Sequence, residues 1–269
     1  MARDHLMATA NMNITSMPFQ TPDSADYMRI NDVREGETEL RTDTSLDSHY
    51  MSILQVSVPN EDEEAARHVL GAVALAATPL SPSTIATLIG FPHSRVQYIL
   101  QLITPLLVRS EDPDGPVQFP HQSLPRFVMD PTRCTDVRFH VPPDYHTDLC
   151  LRCFELMVGS LEENMFSIPK YVLNSEVEDL PKRIEESGIR GALEYACTSW
   201  HKHLVATTGR ATDVISALHR FLEQKFLFWL EVLSSLDAVD GAVVALKVTV
   251  EWLNGVRPDR QLGFQVSRG

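Results

Sequence analysis

The sequence predicts a mainly α-helical protein, in which a small module of three helices and a β-hairpin precedes a larger helical domain. Three observations carry that prediction. Apolar residues recur at i, i+3, i+4 and i+7 through most of residues 46–255. Prolines and capping residues divide that pattern into segments of helical length. A strong turn signal, Asp112-Pro113-Asp114-Gly115, lies between two short extended runs and marks a hairpin.

Residues 1–45 are rich in Met, Asn, Thr, Ser and acidic side chains, have no sustained period, and read as a flexible acidic arm. Order begins at Leu46, where Leu46, Tyr50, Ile53 and Leu54 share one helical face. Pro59-Asn60 breaks that helix. Asn60 is expected to cap the next one, whose first turn Glu61-Asp62-Glu63-Glu64 is wholly acidic and so meets the positive end of the helix dipole. This helix continues to Thr78-Pro79.

Ser81 and Pro82 suit the cap and first position of a short helix ending before Gly90-Phe91-Pro92. A third helix follows with Val96, Ile99, Leu100, Ile103 and Leu106 or Leu107 on one face. The hairpin pairs Leu106–Ser110 with Val117–Phe119. Helix, helix, helix and hairpin make a winged helix, assigned to residues 46–140. Beyond the hairpin, Ser123 is expected to cap a short helix that Asp130-Pro131 ends.

A helical domain is assigned to residues 141–255 and a flexible tail to 256–269. A helix opening at Thr147-Asp148-Leu149 carries Leu149, Cys150, Cys153, Phe154, Met157 and Leu161 on one side. Residues 172–190 read as a polar connector. Leu193, Ala196, Cys197, Trp200 and Leu204 form a second stripe. Val214, Leu218, Phe221, Leu222, Phe226, Trp229, Leu230 and Leu233 make a third, longer one, and Ala242–Trp252 is a fourth. Stripes of this kind are core between packed helices.

Charge narrows the partners. The 269-residue chain has a formal net charge of −13, and residues 1–64 hold 4 Lys/Arg against 13 Asp/Glu. Such a chain is repelled by phosphate backbones and anionic membranes. The third helix, which would read DNA in a winged helix, offers Ser94, Arg95, Gln97 and Gln101 and hence one cation. The wing tip Glu111-Asp112-Pro113-Asp114 would face phosphate with three carboxylates. Nucleic acid is therefore not the expected partner, though a winged-helix DNA-binding transcriptional regulator is the alternative reading.

No apolar run reaches membrane-spanning length and the N-terminus has no signal-peptide core, which predicts a cytoplasmic protein. Cys150-Leu-Arg-Cys153 is a CxxC within a helical pattern, and His146 lies one turn before it. Metal or redox use weighs less there than burial as small hydrophobes, so no metal site is expected. His201 and His203 fall on different helix faces. GxSxG, HExxH and supported carboxylate pairs are absent from the sequence, and no enzymatic activity is expected.

The run His121-Gln122-Ser123-Leu124-Pro125-Arg126-Phe127 resembles the His-x-Ser-Phe-x-x-Phe pattern that follows the wing in fungal STAND-type NTPases with a NACHT domain, the NLR-like family. Similar segments recur in order: Leu46–Leu54 with Val58–Glu64, Pro131–Cys134 with Phe139, His146–Cys153, Val172–Val177, Leu193–Cys197 with Trp200 and His203, and Phe226–Ser234.

The resemblance implies a nucleotide-driven signalling switch, with His121 contacting the ADP phosphate of a closed state. It also implies protein partners, full-length NACHT relatives among them. The chain departs from the family in having no G-x-x-x-x-G-K-[ST], so ADP or ATP is expected only where a P-loop domain is joined to it. Leu124 stands in place of Phe, and Pro125 in place of a residue with a backbone donor. The expectation is a truncated, non-catalytic paralogue that acts through protein contacts.

Overall fold

A computed structural model describes residues 38–256. The N-terminal arm and the C-terminal tail read from the sequence lie largely outside these residues. Helix α1 (Thr38–Ser57) begins eight residues before Leu46. The expected start followed the apolar face, yet no Gly or Pro interrupts the chain between Gly36 and Pro59. A helix fixed by its packed face extends backwards through such a stretch, because propagation costs far less than nucleation.

Asn60–Asp62 form one 3-10 turn and α2 follows at Glu63–Leu75. The expected Asn60 cap is not made. The Asn60 amide oxygen instead accepts from Arg138 Nη1 at 2.8 Å, and Asp62 takes the N-cap position without a side-chain cap bond. Glu63 and Glu64 do occupy the first turn, where the helix dipole favours them.

Helix α3 (Pro82–Ile89) starts as the sequence predicts. Ser81 Oγ accepts from the Thr84 amide at 3.2 Å, and Gly90 ends the helix at φ +74°, a left-handed conformation that glycine adopts without a Cβ clash. Helix α4 (His93–Leu102) buries Val96, Ile99 and Leu100, with Ile103 and Leu106 beyond its end. Strands β1 (Val108–Arg109) and β2 (Val117–Gln118) pair antiparallel with Val108 opposite Gln118. The Val117 amide also donates to the Leu80 carbonyl at 2.8 Å, which fastens the hairpin ahead of α3.

After α5 (Ser123–Met129) come α6 (Tyr145–Ser160), α7 (Leu180–Glu186), α8 (Ala192–Val205), α9 (Ala211–Gln224), α10 (Phe226–Ser235) and α11 (Val239–Val256). The described residues are thus mainly helical, with a single two-stranded sheet. Two expectations need correction. The connector at 172–190 contains α7, whose Leu180 and Ile184 are buried. The long stripe from Val214 to Leu233 is two helices: Lys225, at φ −130° and ψ 0°, breaks it, and Leu222 faces solvent.

One hydrophobic core runs from Leu54 to Ala245. At its centre the rings of Phe154, Trp200, Phe221 and Trp229 meet at centroid distances of 5.2–6.0 Å. Aromatic burial on this scale dominates the favourable side of folding. These rings tie α6, α8, α9 and α10 to one another.

Candidate functional site

The segment between β2 and α5 places the histidine that the sequence singles out. The His121 ring is exposed, and its Nδ1 accepts from the Ser123 backbone N–H at 3.1 Å. A backbone amide can only donate, so Nδ1 is unprotonated and the ring proton sits on Nε2. Ser123 Oγ lies 2.9 Å from the same Nδ1 and 2.7 Å from the Tyr50 hydroxyl of α1. A proton falls on every contact only if Tyr50 donates to Ser123 and Ser123 donates to His121. The side chain thus presents one N–H donor, Nε2, that the network leaves unused.

This corrects the expected cap. Ser123 is the first residue of α5, and the imidazole two residues earlier satisfies its amide. Its hydroxyl is committed to Tyr50 and His121. Pro125 lies within the first helical turn, where a missing N–H costs no intrahelical bond, and α5 continues to Met129.

Helix α1 is fastened over this region by charge. Arg133 grips Asp47 with two parallel bonds, Nε at 2.8 Å and Nη2 at 2.7 Å, and both side chains are largely buried. Gln55 donates to Asp136 Oδ2 at 3.0 Å, and Arg138 grips both oxygens of that carboxylate, with Nε 2.9 Å from Oδ1 and Nη2 2.7 Å from Oδ2. Arg138's hydrogen bonds hold the Asp136 carboxyl well below the usual carboxylate range, against an opposing push from desolvation.

The face of α4 and the hairpin is poorly suited to phosphate. The Arg95 guanidinium pairs with the Asp62 carboxylate, which is 2% exposed, and also donates to the Glu61 carbonyl. Of the wing-tip carboxylates, Asp114 turns back onto α3. It accepts from the Ser83 amide at 2.9 Å and the Ser83 hydroxyl at 2.6 Å, with His93 at 3.5 Å. Desolvation pushes the Asp114 pKa up, but these partners outweigh it and leave it below its ordinary value. Between α3 and α4 lies a shallow, open depression lined by Phe91, Pro92, Ser94, Arg95 and Tyr98.

A third polar cluster is buried and was not legible in the sequence. His146 of α6 and His203 of α8 meet Nδ1 to Nδ1 at 3.0 Å. His203 Nε2 lies 2.7 Å from the Tyr195 hydroxyl, which accepts from the Ala77 amide at 3.0 Å. His203 is 57 residues from His146, a pairing that no local spacing reveals. Burial lowers the pKa of His146. Burial, then the neighbouring His146, His201 and Lys202, lowers that of His203 to about 3. Burial and then Lys202 bring His201 to about 4.

Cys134, Cys150, Cys153 and Cys197 are free and buried. Desolvation raises the thiol pKa of Cys153 to about 12 and that of Cys150 well above its ordinary value, so neither presents a thiolate at neutral pH. Among the described residues no three His, Cys, Asp or Glu side chains converge as a metal site. No helix among them is long and apolar enough to cross a membrane.

Fold and site together define a mainly helical protein whose polar side chains serve chiefly as internal fasteners, with one exposed imidazole set by a hydroxyl relay. No protein-family model matches the sequence, and no solved structure matches it. Among characterised proteins the chain is similar to the vegetative incompatibility protein HET-E-1 of Podospora anserina, with 23% identity over 236 residues. The match covers 75% of this chain and 16% of that protein, so the chain spans about one sixth of the relative's length.

Proposed function

We propose that the chain is a non-catalytic, protein-interacting regulatory segment of a NACHT-type, NLR-like signalling switch, built as a winged helix followed by a helical domain. The observation that carries this reading is the similarity to a fungal vegetative incompatibility protein over three quarters of the chain. The order of elements supports it, since three helices, α2, α3 and α4, are followed by a two-stranded hairpin. So does the His121-x-Ser123 arrangement directly after the wing. The incompatibility role of the relative is carried over as a class of function: regulated contact between cytoplasmic protein domains, with full-length NACHT relatives as the first partners to test.

The residues present do not fit a nucleotide on their own. One imidazole N–H is a single donor, whereas a phosphate cradle needs a run of backbone amides and a cation. In company with a P-loop domain, His121 is the residue placed to meet a phosphate. Calorimetry of the purified chain with ADP and with ATP is expected to give no binding heat. Binding that His121→Ala abolishes would overturn the non-catalytic reading.

Nothing specific favours the DNA-binding alternative, because the one cation of α4 is already held by a buried carboxylate. Random duplex DNA in low salt, where phosphate contacts are strongest, is expected to show no retardation.

A further inference from the structure

Two kinds of contact hold α1 in place, and the apolar kind is thin. Among its described side chains, Ser45 to Ser57, Leu54 alone is fully buried, and the others are half-buried or exposed. In α2, by contrast, eight of 13 residues are buried. Buried apolar surface is what resists the lifting of a helix, so α1 is the more weakly bound of the two.

The remaining hold is polar and falls on one short segment. Arg133 grips Asp47, Asp136 accepts from Gln55, and the Tyr50 hydroxyl reaches Ser123, with the Tyr50 and Phe127 rings 5.7 Å apart. All four receiving residues lie between 123 and 136, directly after the hairpin. Neutral bonds of this kind exchange for bonds to water when a helix lifts, and each contributes little net. The bidentate, largely buried Asp47–Arg133 pair is the strong one. Two residues join α1 to the next turn: Val58, which is buried, and Pro59, which is extended at ψ 154° and separates the helices. Helix α5 packs on α2, so it keeps its place without α1.

We propose that α1 is a releasable latch: from residue 45 to its joint at Val58 and Pro59 it lifts as one unit while α2–α11 stay folded, and its lifting uncovers the surface of α5 beside His121. The inference stands on packing alone and does not depend on the signalling reading.

What the latch covers is specific. Ser123 is 4% exposed and Phe127 is fully buried while α1 is seated. Lifting α1 takes the Tyr50 donor from the hydroxyl that bonds His121, and bares that hydroxyl and the side of the Phe127 ring that Tyr50 covers. The latch therefore gates the candidate site. Cys134 lies beside the same contacts: it is 2% exposed, and its Sγ donates to the Asp136 carbonyl at 3.7 Å. Burial, then the Asp136 and Asp47 carboxylates, push its thiol up to about 12. Departure of α1 removes Asp47 and part of that cover, whereas Cys150 and Cys153 stay buried on α6 and Cys197 on α8.

The test is residue-resolved amide exchange on the full chain at neutral pH, over urea concentrations well below the unfolding midpoint. Residues 50–57 should share one protection factor, at least ~100-fold below that of residues 65–75, and a much shallower dependence on urea, because lifting exposes little surface. Arg133→Gln should speed exchange in α1 at least ~10-fold, through loss of the charge-assisted pair. In the wild-type chain, N-ethylmaleimide should label Cys134 well ahead of Cys150, Cys153 and Cys197.

Equal protection and equal urea slopes in α1 and α2 would overturn the proposal, since α1 would then leave only when everything unfolds. Protection that falls steadily from residue 57 to residue 50 would overturn it too, as fraying rather than release of a unit. An α1 rate unmoved by Arg133→Gln would overturn the role of the ion pair. Cys134 labelled no sooner than the other three would show that the 123–136 segment stays covered, and would overturn the gating of the site.

Discussion

The buried histidines set how this protein responds to acid. His203 and His201 have folded-state pKa values of about 3 and about 4 because burial disfavours their charged forms. The unfolded chain takes up these protons below its ordinary histidine pKa near ~6.5, while the folded chain does not. The stability they contribute is therefore present above about pH 6.5 and is lost as pH falls toward 4 and then 3. Each group costs up to ~1.4 kcal/mol per pH unit in that window, so the pair costs on the order of 4 kcal/mol by pH 5. That is a large share of a typical folding stability of ~5–15 kcal/mol. Asp136 acts in the same direction but lower, since its folded pKa is depressed and its contribution fades only below about pH 4. Urea midpoints between pH 7.5 and 4.5 should fall steadily, and His203→Gln should flatten the slope by about one proton. An unchanged slope in that variant would show that His203 titrates normally in the folded state.

At the scale of elements, local signals were legible and tertiary ones were not. The α3 boundaries follow from Ser81, Pro82 and Gly90, all of which act within a few residues of themselves. The stripe on α6 is buried as its spacing predicts, because a 3.6-residue period needs no knowledge of the partner helix. Asn60 and Ser123 failed as caps for the same reason: each has a distant partner, Arg138 and Tyr50, that competes for its side chain. The His121 relay needed α1 to be placed over α5, and the His146–His203 contact needed α6 on α8. Arg95 looked like the sole cation of an exposed helix, yet it neutralises Asp62 at the start of α2 and so pins α4 to α2. Removing it strands a carboxylate that is 2% exposed, and breaking a buried pair costs more than losing a surface charge. Arg95 itself is 39% exposed, so we expect Arg95→Ala to cost about 2 kcal/mol rather than the full buried-pair value. Asp62→Ala in the same background should recover part of that loss, as chemical denaturation of the four-member cycle would show. Additive losses would mean that the pair contributes nothing.

For the molecule as a whole, the decisive question is whether its front and back halves fold as one. Across the sequence boundary at residues 140 and 141, Tyr145 of α6 packs against α2. Its hydroxyl donates to the His68 carbonyl at 2.9 Å and lies 2.8 Å from His68 Nδ1. The approach is close because residue 71 is glycine: a Cβ there would sit 2.7 Å from Tyr145 Cε1, nearer than side chains tolerate. The Tyr145 ring is 6% exposed and anchored at its hydroxyl, so it has no room to yield. Gly71→Ala gains up to about 1 kcal/mol of helix propensity but overpacks this contact, which typically costs ~1–3 kcal/mol. We expect the clash to win, because the obstacle is a fixed ring and not the end of a flexible chain. The chain's three tryptophans, Trp200, Trp229 and Trp252, all lie in the back half, so their fluorescence reports only on that half. If one core serves both halves, Gly71→Ala lowers the fluorescence and far-ultraviolet dichroism midpoints together, although the substitution lies far from the indoles in sequence. A fluorescence midpoint that stays put while the dichroism midpoint falls would show that α6–α11 fold alone. A rise in both would show that the Tyr145 contact yields and that helix propensity decides the sign.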